Sequence, residues 1–300
     1  MDVETNNILS FDTQQIGSGV SSVGLEKIVC RNALDYFLSN DVKIFMICMD
    51  RHVAIRKMLR EEYSDIKHEF DVWHLVKSIG KTLLAASKRK QCKDLTEWIS
   101  PIKNHIWWSG NTCKKYPDEL LVRLNSVLNH VRDIYTWEDD NSQYTSCKHA
   151  VLDEEVETPK KMAGRRRCKF EALKKMIKEN RLQKDLRQIS YFCHTGDLEV
   201  FHSALTKYTP KRLHFSANGM IARTQLAALD HNFTVNRSQA VVKKQSESSG
   251  PVGTQRYNVA YSKARKEWFL RSIYEPTKQD FISTIMKKVF DAAAGNLPLE

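Results

Sequence analysis

VKIFMICMDRH, residues 42–52, is apolar for most of seven residues and then turns abruptly to Asp50, Arg51 and His52. A short, continuous apolar run bounded by polar residues reads as a buried strand over 42–49. A carboxylate at the end of such a strand has two readings. It caps the helix that begins near residue 52, or it is half of a metal site, since ligands of open α/β sheets collect beyond the carboxyl ends of strands. The choice depends on whether the rest of the chain supplies partners.

On either side of this stretch, strand and helix alternate. NILSF (7–11) reads as a short strand, and residues 12–24 as a Gly- and Ser-rich loop. Apolar positions from Leu25 to Leu38 recur at helical spacing, and a helix is expected over Ala54–Tyr63. IKHEFD (66–71) reads as a second strand, and Trp73, Val76, Leu83 and Leu84 mark one face of a helix reaching about Ser87. The first ninety residues therefore predict an α/β sheet.

The middle of the chain is helical from Leu95 to about Val131, with Pro101 expected to kink or restart the first helix. Residues 138–160 read as an acidic, polar loop. Phe170, Leu173, Met176 and Ile177 then face inward on a basic helix, and Leu198, Phe201, Leu205 and Tyr208 on a further helix after Gly196. Another helix is expected over Met220–Leu229, a linker over 243–256, a strand over Tyr257–Tyr261 and a helix in the last twenty residues.

Three hundred residues at 41% hydrophobic and 28% charged content suit an ordinary globular chain with a substantial core. No run of eighteen apolar residues exists, which excludes a helical membrane span, and MDVETNNILSF has neither the basic nor the apolar part of a secretion signal. Seven scattered Cys favour a reducing compartment. The net charge of +11 attracts polyanions, nucleic acid being the commonest. Residues 160–187 carry most of it, with twelve Lys or Arg against three Asp or Glu. They form either a solvated helix face or a phosphate-contacting patch around Arg165, Arg166 and Arg167.

HTGDLEVFHSALTKY (194–208) offers a second acid. Glu199 falls in the first turn of a helix, where the dipole favours a carboxylate. It also shares a stripe with His202 and Thr206 beside the inward face. Two carboxylates from distant segments can hold the metal of an in-line phosphoryl displacement. Cys113, Cys147 and His149 are a weak candidate set for structural Zn²⁺, since their spacing matches no standard finger. Lys211 and Arg212, within YTPKRLHF (208–215), are candidate DNA-backbone contacts.

Three stretches together resemble a transposase of animal DNA transposons, related to a branch of bacterial insertion-sequence transposases. They are MDRHVAIRKMLREEYSDIKHEFDVWHLVKSIGKTLL (49–84), EWISPIKNHIWW (97–108) and LRQISYFCHTGDLEVFHSALTKYTPKRLHFSANGMIARTQLAALDHN (186–232). The order is an Asp after a strand, a second strand with an Asp–aromatic–His element (Asp71, Trp73, His74), a helical insertion, and a helix with the last acid in a Gly-x-x-Glu context (Gly196 to Glu199). The resemblance implies an RNase H-like core, nuclear location, DNA as partner, Mg²⁺ or Mn²⁺ as cofactor, and work as a homo-oligomer. Asp50 and Glu199 would be the second and third acids of an Asp-Asp-Glu triad, with His52, Asp71 and His74 as secondary active-site residues. It implies a core over 1–86, an insertion over 87–184, the rest of the core over 185–240 and a linker and extension over 241–300. The family's first acid has no counterpart upstream of Asp50: Asp2 falls at a strand edge, Asp12 precedes a loop, and Asp35 and Asp41 flank a helix end. The expectation is a core incomplete at its N-terminal strand and a chain inactive as a nuclease by itself. The alternative is a domesticated DNA-binding or protein-interaction module without catalysis.

Overall fold

A computed structural model describes residues 1–14, 22–89, 92–93, 95–138, 144–148, 167–244, 250–263 and 266–295. It is mixed α/β and mostly helical, with two small sheets among the described residues. The chain divides into two compact units, Ile16–Thr195 and Met1–Gln15 with Gly196–Glu300.

In the first unit, helix α1 (Ser22–Ser39) precedes strand β1 (Met46–Met49), helix α2 (Val53–Glu62), strand β2 (Lys67–Phe70) and helix α3 (Val72–Ser87). β1 and β2 pair in parallel, in the register Met46↔Lys67 to Met49↔Phe70. Parallel neighbours need a crossover, and α2 supplies it. Leu34, Ile55, Met58, Leu59 and Ile66 form a small core with the strand residues Ile47 and Met49 packed against it. The ordered ladder is shorter than the apolar run 42–49 predicts, because pairing with β2 covers only four residues.

The larger core of this unit runs without a break from β2 and α3 into the helices that follow. Phe70, Val72, Leu75, Val76, Ile79 and Leu83 pack with residues of α4 (Leu95–Thr112), α5 (Pro117–Asn125), α6 (Val127–His130), α7 (Arg167–Ile177) and α8 (Asn180–Leu186). The helices expected as an insertion thus share their core with α3. Trp73 and Leu84, expected inside, are exposed, and the buried stripe of α3 is Val72, Leu75, Val76, Ile79 and Leu83. α4 continues across Pro101 rather than restarting there. The lost hydrogen bond is offset by Trp98, Ile102 and Ile106, which are buried on one face of that helix.

Gly110 of α4 is buried against the ring of Phe192, which sits in left-handed backbone at φ +52°. A Cβ at residue 110 would stand 2.9 Å from Phe192 Cδ2. Gly110→Ala gains about 1 kcal/mol of helix propensity and loses more to overpacking, about 1–3 kcal/mol. A net loss of stability is expected in urea unfolding. Gly80→Ala, whose neighbour is the flexible stem of Lys103, is the control and should be neutral or stabilising.

In the second unit, helix α9 (Gly196–Tyr208) packs on helix α10 (Ala217–Val235) through Phe201, Ala227 and Ala228. Residues 7–11 are not a strand. The Ile8 N–H donates to Asn232 Oδ1 at 2.7 Å and its carbonyl accepts from Asn232 Nδ2 at 2.9 Å. A side-chain amide on a helix thus takes the place of a ladder partner and ends the need for one. Strands β3 (Tyr257–Ser262) and β4 (Glu267–Ser272) form an antiparallel hairpin, and helix α11 (Asp280–Ala293) follows. No helix among the described residues is long and apolar enough to cross a membrane.

Candidate metal centre

Parallel pairing in register has a chemical consequence. Because Met49 pairs with Phe70, the next residues, Asp50 and Asp71, leave the sheet side by side at the carboxyl ends of β1 and β2. The Asp71 N–H donates to the Met49 carbonyl at 3.0 Å and completes that alignment. Asp71 then caps α3, its Oδ1 accepting from the His74 N–H at 2.9 Å. The cap brings His74 back over the sheet ends. His74 Nδ1 lies 2.9 Å from Asp50 Oδ1 and 3.3 Å from Asp71 Oδ2. One ligand atom from each of the three residues lies within 4.8 Å of the other two, and this is the only such three-residue group of His, Cys, Asp or Glu among the described residues.

The two carboxylates differ in setting. The Asp50 side chain is 63% exposed and the Asp71 side chain 2%. Asp71 is held by Thr195, whose N–H donates to Oδ2 at 2.7 Å and whose hydroxyl makes a closer contact to the same oxygen. Burial pushes the Asp71 carboxyl up, but hydrogen bonds from Thr195 and His74 outweigh it and hold it below the ordinary carboxylate value. Thr195 closes a lane of contacts alongside β2. Gln188 Nε2 donates to the His68 carbonyl at 3.1 Å, the Tyr191 N–H to Glu69 Oε2 at 3.1 Å, and the Val72 N–H to the Cys193 carbonyl at 3.1 Å. Burial pushes the Glu69 carboxyl up and the His68 imidazole down to about 4.

Asp50 does not cap α2. His52 does so, its Nδ1 accepting from the Ile55 N–H at 3.2 Å, which places the proton on Nε2 facing Glu26 Oε2 at 3.2 Å. His52 is thereby committed to a cap and to a hydrogen bond with Glu26. Glu199 lies exposed in the first turn of α9, in the second unit, four residues after Thr195 in the chain. Lys211 and Arg212 are exposed in the turn after α9. Arg165 and Arg166 lie outside the described residues, and Arg167 enters only as the first residue of α7. His149 is also outside them. Cys113 is buried, its thiol donating to the carbonyls of Gly110 and Ser190, and burial pushes its pKa up. Cys147 contacts His130 Nδ1 at 3.6 Å. A protonated core thiol is a poor Zn²⁺ ligand.

The donor set fits a divalent cation that accepts imidazole nitrogen as well as oxygen, and so Mn²⁺ better than Mg²⁺. Thr195 and the 188–195 lane carry no local signal in the sequence. The Asp71-x-x-His74 cap spacing was the local signal for the rest.

Comparisons of the chain with protein-family models, with curated proteins and with solved structures find no match.

Proposed function

We propose that this chain carries a transposase-type catalytic core for metal-dependent cleavage and joining of DNA strands, with an RNase H-like arrangement. The observation that carries the reading is the pairing of Asp50 and Asp71 at adjacent parallel strand ends beside His74. The element order supports it: strand and Asp50, strand and Asp71-x-x-His74, a run of helices, then a helix with Glu199 in its first turn. A divalent cation bound there supplies charge neutralisation at phosphorus and an activated oxygen nucleophile. Asp50 and Asp71 offer it carboxylate oxygens, and His74 offers Nδ1. Thr195 orients Asp71 in the manner of an outer-shell hydrogen-bond donor. Glu199, in the second unit, is the third acid that the resemblance implies. The net charge of +11 suits DNA as partner, in the nucleus.

A second reading, a binding module without catalysis, rests on a different observation. The Asp71 carboxylate already accepts from the His74 N–H and twice from Thr195, which makes it a sufficient structural hub without metal.

Titration calorimetry with MnCl₂ separates the two. Saturable binding by the wild type is expected, weakened about 10–100-fold by Asp50→Asn. Asp50 is exposed, so the variant should fold normally. Equal heats for wild type and variant would leave the binding module as the reading. Nicking of a labelled duplex in Mn²⁺ is the accompanying activity readout, and the chain by itself should give none, in keeping with a triad whose first acid has no counterpart among Asp2, Asp12, Asp35 and Asp41.

A further inference from the structure

The hairpin of the second unit presents an unpartnered sheet face. Directly opposed residues of an antiparallel pair share a face, so the pairs Tyr257↔Ser272, Val259↔Leu270 and Tyr261↔Trp268 lie together. Trp268 is 70% exposed, Leu270 65% and Val259 60%. The Tyr261 and Trp268 rings sit 5.2 Å apart, tilted by 58°. They are exposed among the described residues, although the base of the hairpin is tied down. The Ala240 N–H donates to the Ile273 carbonyl, the Arg256 N–H to the Ala240 carbonyl and the Glu275 N–H to the Ser238 carbonyl, at 2.8, 2.8 and 2.9 Å. The rings therefore stand on a braced support.

The charge around the face selects its occupant. Residues 255–274 hold five Lys or Arg and one acid, Glu267. Lys263 and Lys266 are exposed at the connecting turn beside Tyr261 and Trp268, whereas Arg271, paired with Asn258, belongs to the opposite face. A second copy of the chain would bring the same positive charge against itself. An unpaired nucleic-acid strand brings flat bases for the rings and phosphates for the cations.

We propose that this face binds single-stranded nucleic acid, with bases stacking on Trp268 and Tyr257 and the backbone running past Lys263 and Lys266. The site goes beyond the cutting reaction proposed above and does not depend on it, since it uses neither Asp50 nor a metal.

The test is fluorescence anisotropy of the full chain with labelled dT₂₀, U₂₀ and a 20-base-pair duplex, all in EDTA. Trp268→Ala should weaken dT₂₀ binding about tenfold, and Trp268→Phe should retain most of it. Replacing Lys263 and Lys266 by Gln should lower the salt slope of dT₂₀ binding by about 1.4. Comparison of dT₂₀ with U₂₀ tells a DNA from an RNA strand, and either supports the site. Unchanged dT₂₀ and U₂₀ binding in Trp268→Ala would overturn it. So would equal losses on strand and duplex, or a wild-type dimer that Trp268→Ala converts to monomer in sedimentation. Because EDTA is present throughout, failure of the metal centre leaves these outcomes untouched.

Discussion

Asp71→Ala is expected to lose about 3 kcal/mol of folding stability, seen as a lower urea midpoint at unchanged slope. The figure combines a lost helix cap, about 1 kcal/mol, with lost charge-assisted bonds to Thr195, about 1.5–3 kcal/mol. Asp71→Asn should keep little of it, because one of its two groups is a donor facing the donors of Thr195. The pH dependence has a definite sign. The folded carboxyl titrates below its ordinary value, so its stabilisation is present above that value and lost as pH falls through the folded pKa. The gap in stability between wild type and Asp71→Asn should therefore be full at neutral pH and shrink below about pH 4. A gap that persists undiminished in acid would mean that packing, not charge, distinguishes the two.

Asp185→Ala is the second large effect. The Asp185 side chain, in α8, is 1% exposed. Its two oxygens accept from Arg51 Nη1 at 2.8 Å and Arg56 Nη1 at 2.9 Å. Removing it leaves two guanidinium groups without their shared acceptor. Breaking a fully buried pair costs about 3–5 kcal/mol, but both arginines are partly solvated, so about 2–4 kcal/mol is expected here. Arg51 follows Asp50 directly, so the turn that presents Asp50 should loosen as well. Mn²⁺ affinity is then expected to fall several-fold with no ligand removed. The double variant Arg56→Met/Asp185→Leu should lose less stability than Asp185→Ala alone, since it leaves one guanidinium, that of Arg51, without its acceptor instead of two and fills the site with apolar volume. If the double variant is the less stable one, the network contributes more than its geometry implies.

Much of the unit that contains Asp50, Asp71 and His74 is legible in the chain itself. The apolar run ending at Asp50, the run ending at Asp71 and the helical periodicity around them are local patterns, and local patterns survive in one dimension. The Asp71-x-x-His74 spacing is also local, because a cap and its third following residue lie in one turn. Where periodicity alone was used to choose an inward face, α3 shows its limit. Trp73 and Leu84 are as apolar as their neighbours, and only the helices packed against α3 decide that Val72, Leu75 and Ile79 are covered instead.

The chain by itself therefore determined most of the helices, the strands that end before Asp50 and Asp71, and the carboxylates that follow them, because backbone geometry and side-chain periodicity are properties of neighbours in sequence. The tertiary structure decided the rest. Asn232 lies 224 residues from Ile8 and ties an expected strand to a helix instead of a sheet. Thr195, 124 residues from Asp71, and Asp185, 134 from Arg51, supply the hydrogen bonds that hold the acidic strand ends in place. Contacts at such separation leave no period and no spacing in the sequence, since what joins them is parallel register and the packing of helices rather than chain connectivity.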